Sequence, residues 1–162
     1  MMAQYQPQEI FMRQAIAAAA HNLRTLNGGP FGACIVKNDE IIAVAANNVL
    51  CGIDATCHAE VNAIRLASQR FQTHDLSGCV IYSTTEPCPM CFSAIHWAKI
   101  DRIVYGTDIA DVQKLGFNEL TISNQQMIEW GQSSVQLTPH FLYEACYQLL
   151  TQWKNLPTMP TY

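Results

Sequence analysis

Charge is scarce in this 162-residue chain. Only 14% of residues are Asp, Glu, Lys or Arg, and nine basic residues face 13 acidic ones for a net charge of −4. A protein that grips several phosphates of a nucleic acid concentrates Lys and Arg in a patch. Here they are scattered: Arg65 with Arg70, or Lys99 with Arg102, could make a small patch, and solvated ends of helices and strands explain them as easily. The composition argues against an RNA or DNA partner. No apolar run approaches the ~18 residues of a membrane span, so no membrane partner is expected. The alanine-rich stretch Ala15 to Ala20 lacks the layout of a cleavable signal. Internal repeats, low-complexity blocks and linkers are missing too, which leaves one domain over residues 1–162. Apolar residues make up 49%, enough for one good core and too much for a disordered chain.

The seven cysteines are an odd number, and the best-placed pair has metal spacing, so a reducing cytoplasm is expected rather than a disulfide framework. That pair lies in Pro87-Cys88-Pro89-Met90-Cys91, and Cys88 follows His58-Ala59-Glu60 by 28 residues counted from Glu60. His58, Cys88 and Cys91 are three zinc donors, which leaves one coordination position open, the catalytic rather than the structural count. A closed structural site wants a fourth Cys or His. Cys57 is the one nearby candidate, and its adjacency to His58 makes it awkward. The pattern resembles the H-x-E…P-C-x-x-C signature of zinc-dependent base deaminases.

Hydrophobic periodicity places these motifs. Residues 8–26 carry Ile10, Phe11, Ala15, Ala18, Ala19 and Leu23 at helical spacing, and Asn27-Gly28-Gly29-Pro30 stops the helix. Phe31 to Val36 and Glu40 to Ala46 read as a hairpin around Lys37-Asn38-Asp39. Asn47 to Cys57 reads as a loop leading into a helix over His58 to Arg70. A strand at Cys79 to Thr84, a helix over Pro89 to Lys99 and a strand at Arg102 to Tyr105 follow, an alternation that favours an α/β sandwich with parallel later strands. Beyond Gly106 the expectations are helices near Ala110 to Leu115 and Asn124 to Trp130, a strand at Ser133 to Leu137, and a helix from Pro139 to Lys154. The tail Leu156 to Tyr162, with two prolines, is expected to be irregular.

Both metal-binding segments therefore fall at helix starts. Cys88 and Cys91, three apart on a first turn, share a face, and the positive helix end favours thiolate. A zinc held there lowers the pKa of the water it binds to roughly 7. Glu60 is expected as the group that moves protons between that water, the substrate ring and the departing ammonia. Cysteines 34, 51, 57, 79 and 146 read as buried small hydrophobes, and His21, His74, His96 and His140 have no partner at metal spacing. Trp97 is expected either to line the pocket or to pack its own helix.

Beyond the zinc motif, Gly28-Gly29-Pro30-Phe31-Gly32-Ala33, Asn47-Asn48-Val49, His58 to Arg65 and Glu86 to Cys91 resemble the cytidine-deaminase-like superfamily, and within it the guanine deaminases of bacterial type. The likeness runs over nearly the whole chain. It implies a three-layer α/β/α fold with a five-stranded mixed sheet, zinc as cofactor, and hydrolysis of a purine, guanine to xanthine and ammonia. By position it implies Asn47 hydrogen-bonding the base, Phe31 lining the pocket, and the backbone N–H of Ala59 as a donor. It also implies that Tyr162 closes the partner subunit's site in a domain-swapped homodimer. The family commonly reads Gly-Phe-Asp-Asp where this chain has Gly116-Phe117-Asn118-Glu119. Glu119 keeps the acid that would accept ring N–H groups but is one methylene longer, so a guanine nucleoside or another amino-heterocycle stands beside guanine as substrate. A tRNA adenosine deaminase shares the zinc motif, but would want a basic surface and no closing tyrosine. A zinc-stabilised scaffold would need neither Glu60 nor an open coordination position.

Overall fold

A computed structural model describes residues 5–162. The first helix, α1 (Glu9–Thr25), buries Phe11, Met12, Ala15, Ala19 and Asn22 on one stripe and ends where Leu26 turns left-handed. Strands β1 (Gly32–Lys37) and β2 (Glu40–Ala46) form the expected antiparallel hairpin. Its two-residue turn sets Asn38 and Asp39 at φ of 50° and 60°, the left-handed pair that matches strand twist. The run from Asn47 to Cys57 is not all loop, because Val49–Gly52 forms a short helix, α2. Four residues are too few to show a period, and Ile53 closes the turn in left-handed geometry.

Helix α3 (Ala59–Phe71), strand β3 (Cys79–Thr85), helix α4 (Pro89–Trp97) and strand β4 (Arg102–Thr107) follow. The remainder is α5 (Ile109–Gln113), α6 (Asn124–Gly131), β5 (Gln136–Thr138) and α7 (Tyr143–Lys154). The last helix starts four residues later than its sequence suggests. His140 and Leu142 both take positive φ, and the Phe141 N–H is held by the Tyr105 carbonyl at 2.9 Å, so the chain docks on β4 before it coils.

The five strands lie in the order β2-β1-β3-β4-β5. The first three pair antiparallel, while β3, β4 and β5 run parallel, giving the mixed sheet. One face packs α3 and α4 through Ala59, Ala63, Ala67, Phe92 and Ile95 against Ile35, Ile81 and Ile103. The other packs α1 through Phe11, Met12 and Ala15, and α7 through Cys146, against Cys34, Tyr82 and Val104. A third cluster of Val112, Phe117, Leu150 and Trp153 holds Leu156, Met159 and Tyr162, which seats the irregular tail. The carboxyl ends of β3 and β4 face the two helix starts that carry the metal-type residues, the usual place for a ligand crevice in such sheets. No helix among the described residues is long and apolar enough to cross a membrane.

Candidate active site

His58 is the N-cap of α3 and Cys88 the N-cap of α4, with Cys91 one turn on. The His58 Nδ1 lies 3.6 Å from the Cys88 sulfur and 3.5 Å from that of Cys91. The three donor atoms sit within 4.8 Å of one another, and they form the one such cluster of His, Cys, Asp or Glu among the described residues. The set fits zinc: one imidazole, two thiols and no fourth protein ligand. Contact with Cys91, then with the His58 imidazole, outweighs burial and brings the Cys88 thiol down to about 4. That same contact and burial push Cys91 well up. Burial works against a charged His58, but its bond to Cys88 and the nearby Glu60 carboxylate raise it overall.

Glu60 is buried beside this cluster. One carboxylate oxygen accepts from the Ser83 hydroxyl at 3.0 Å and the other lies 3.5 Å from the Cys91 sulfur. Burial pushes its carboxyl above the ordinary range, a shift the His58 charge opposes. A carboxylate raised this way is a stronger base and takes up a proton more readily near neutral pH. Ala59, fully buried, is the first residue of α3, so its N–H has no intrahelical carbonyl to meet.

The opposite wall comes from loops. A pocket of about 300 Å³ is lined by Phe31, Asn47, Phe117, Asn118, Glu119 and Tyr162 as well as His58, Glu60 and Cys88. The rings of Phe31 and Phe117 meet edge to face at 5.2 Å, and those of Phe117 and Tyr162 at 5.4 Å. The Tyr162 hydroxyl donates to Asn47 Oδ1 at 2.5 Å and accepts from the Gly29 N–H at 2.8 Å. Asn47 Oδ1 also accepts from the Val49 N–H at 3.1 Å. Burial, then the Cys88 charge, raises the Glu119 carboxyl to about 7. A Cβ at Gly28 would come 2.1 Å from Asn47 Oδ1, so only glycine lets the backbone pass there.

Of the residues singled out in the sequence, Phe31, Asn47, His58, Glu60, Cys88, Glu119 and Tyr162 line this pocket, Tyr162 on the same chain as the rest, while Cys91 and Ala59 are fully buried next to them. Trp97 is not among them. It is 78% exposed and neither lines the pocket nor packs the core, because the exposed last turn of α4 points it outward. Cys51 is likewise exposed rather than buried, on the outer side of α2. Two supporting residues were not singled out in the sequence. Asn22 sits on the apolar stripe of α1, seven residues after Ala15, and its amide donates to the carbonyls of Gly29 at 2.8 Å and Asn47 at 2.7 Å. A polar side chain at an apolar helical position was the clue. Ser83, which holds Glu60, had none, since a serine within a strand marks nothing by itself.

A family profile for the cytidine and deoxycytidylate deaminase zinc-binding region matches residues 5–107. The chain belongs to this zinc deaminase family. Among the family's curated relatives, a guanine deaminase of Bacillus subtilis is 41% identical over 111 residues, 68% of this chain and 71% of its own length. A tRNA-specific adenosine deaminase of Buchnera aphidicola is 29% identical over 124 residues, covering 76% of this chain and 79% of that one. The solved guanine deaminase of Nitrosomonas europaea superposes with a TM-score of 0.84 at 28% identity, over 94% of this chain and 87% of the other. The family assignment and the His-Cys-Cys cluster together make zinc the cofactor.

Proposed function

We propose that this enzyme hydrolyses guanine to xanthine and ammonia. The observation that carries the reading is the make-up of the pocket: the amide of Asn47 and the carboxylate of Glu119 stand with the rings of Phe31, Phe117 and Tyr162, and no Lys or Arg is among the lining residues. Phosphate-bearing substrates ask for cations, and a tRNA substrate would meet Glu60 and Glu119 with no Lys or Arg to offset them. Guanine suits the walls. Phe31 and Phe117 offer an aromatic wall for a planar ring, and Glu119 accepts N–H groups from it. Asn47 already spends its oxygen on Val49 and Tyr162, which leaves its Nδ2 as a donor to a base oxygen or ring nitrogen. The similarity to two guanine deaminases supports the same substrate.

His58, Cys88 and Cys91 would hold the zinc, and the chemistry it would supply there is a water acidic enough to act as nucleophile near neutral pH. Glu60 accepts the proton that water loses and passes it to a ring nitrogen, and a proton from the same carboxyl leaves with ammonia. The new bond is carbon to oxygen, the broken bond carbon to the exocyclic nitrogen. The Ala59 N–H steadies the oxygen side. Tyr162 covers the ring and keeps bulk water out.

In the same reading the enzyme is a cytoplasmic homodimer serving purine breakdown. Trp97 and Trp130, 78% and 69% exposed, give a second copy apolar surface to cover. Residues 156–162 reach their pocket as a separate strap, which neighbouring copies can exchange without new contacts.

The test is ammonia release from guanine by the purified, zinc-loaded protein, with Glu60→Gln as control. Release by the native enzyme and its loss in the variant are expected. No release from guanine by folded, zinc-loaded enzyme would defeat the substrate assignment.

A further inference from the structure

Glu86 lies two residues before Cys88, is nearly fully buried and forms no ion pair among the described residues. Its carboxylate instead joins the starts of two helices. One oxygen accepts from the Ile109 N–H, first in α5, at 3.2 Å, and the other from the Asn124 N–H, first in α6, at 2.8 Å. Negative charge at two helix N-termini is a favourable arrangement, and charge-assisted bonds of this kind are the stronger ones. The clasp is closed from the other side. The Asn124 amide donates to the Pro87 carbonyl at 2.6 Å, and the Glu86 N–H to the Thr107 carbonyl at 2.7 Å.

What lies between the two clasped helices gives this its meaning. Residues 114–123 connect α5 to α6 and carry Phe117, Asn118 and Glu119, the loop wall of the pocket. Residues 87–88 lead straight from Glu86 to a zinc ligand. We propose that Glu86 is a positioning residue for the reaction: it holds the first residues of α5 and α6, the two helices that flank the 114–123 loop, in register with Cys88, and so sets the distance between the base-reading wall and the metal. Glu86 borders the pocket, but both of its oxygens are taken by these N–H groups, so it acts through those neighbours and not on the substrate. The inference rests on the deaminase reading above for its kinetic consequence, but not for its structural one.

Glu86→Gln keeps the shape and replaces one acceptor by an amide that faces a backbone N–H, donor against donor. One helix start must then let go. The expected result in the zinc-loaded enzyme is a KM for guanine raised by roughly tenfold or more, with kcat changed less than about threefold and zinc still bound. Hydrogen exchange in residues 114–123 should accelerate by about the same factor. Asn124→Ala, which removes only the bond to Pro87, should move KM in the same direction by less. It also serves if Glu86→Gln does not fold. Unchanged KM and unchanged exchange in Glu86→Gln would overturn the proposal. So would loss of zinc or of fold there with native KM in Asn124→Ala, which would make the residue merely structural. If native enzyme releases nothing from guanine, the substrate reading fails, and faster exchange of the loop still decides for or against the clasp.

Discussion

On the metal side of the pocket, His58 and Cys88 cap α3 and α4, and Glu60 sits in the first turn of α3 with Ser83 of the central sheet against it. On the base side, Phe31 and Asn47 belong to loops, Asn118 and Glu119 to the α5–α6 connection, and Tyr162 to the irregular tail. The helical wall is tied to the core through Ala59, Ala63, Phe92 and Ile95, which are almost wholly buried. The loop wall packs Phe117 and Tyr162 into the smaller third cluster and is otherwise tied by hydrogen bonds of single side chains: Asn22, Glu86 and Tyr162. Placing the chemistry on packed helices and the recognition on tethered loops lets the reaction stay the same while the bound base is decided elsewhere. It also predicts that damage to the two walls reads out differently, in kcat or metal on one side and in KM on the other.

Cys88→Ser should give the largest effect, loss of zinc and with it essentially all turnover, read by metal analysis beside the ammonia assay. Retained zinc and activity would mean the ligand set is wrong. Glu60→Gln should keep zinc but lower kcat by about 10²–10⁴, with little change in KM, since proton transfer is lost while the base still binds. On the other wall, Glu119→Gln should raise KM with kcat much less affected. A carboxylate accepts ring N–H groups and a carboxylic acid accepts them less well. With its carboxyl raised, native KM should therefore climb as pH falls through the titration of Glu119, and the variant should flatten that part of the profile. Tyr162→Phe keeps the ring against Phe117 and removes only the hydroxyl. A rise in KM of roughly tenfold or less is expected, because one hydrogen bond that orients Asn47 is lost. Smallest for activity is Asn22→Ala, which should lower stability by ~1–3 kcal/mol on thermal or denaturant unfolding, because two carbonyls lose their buried donor.

The same division decides what could be read in advance. His58, Glu60, Cys88 and Cys91 were legible because a metal site on helix starts is a matter of short spacings. The hairpin was legible from Asn38-Asp39, and the parallel strands from their alternation with helices. The loop wall depends on contacts across most of the chain: Tyr162 with Gly29 is a separation of 133 residues, and Asn124 with Glu86 one of 38. No local pattern reports such pairs. Phe31, Asn47, Glu119 and Tyr162 were found only through family resemblance, while Asn22 and Glu86 were missed as supports. The outward turn of Trp97 and the late start of α7 were also hidden, since both follow from where a helix docks and not from its own period.

The most direct measurement offers the zinc-loaded enzyme guanine, guanosine and an adenosine-bearing tRNA, each at low and high salt, and follows ammonia. The account predicts that guanine is turned over fastest, at a rate that salt hardly changes, because no Lys or Arg lines the pocket. It would be contradicted if guanine were inert and the tRNA released ammonia with a steep dependence on salt.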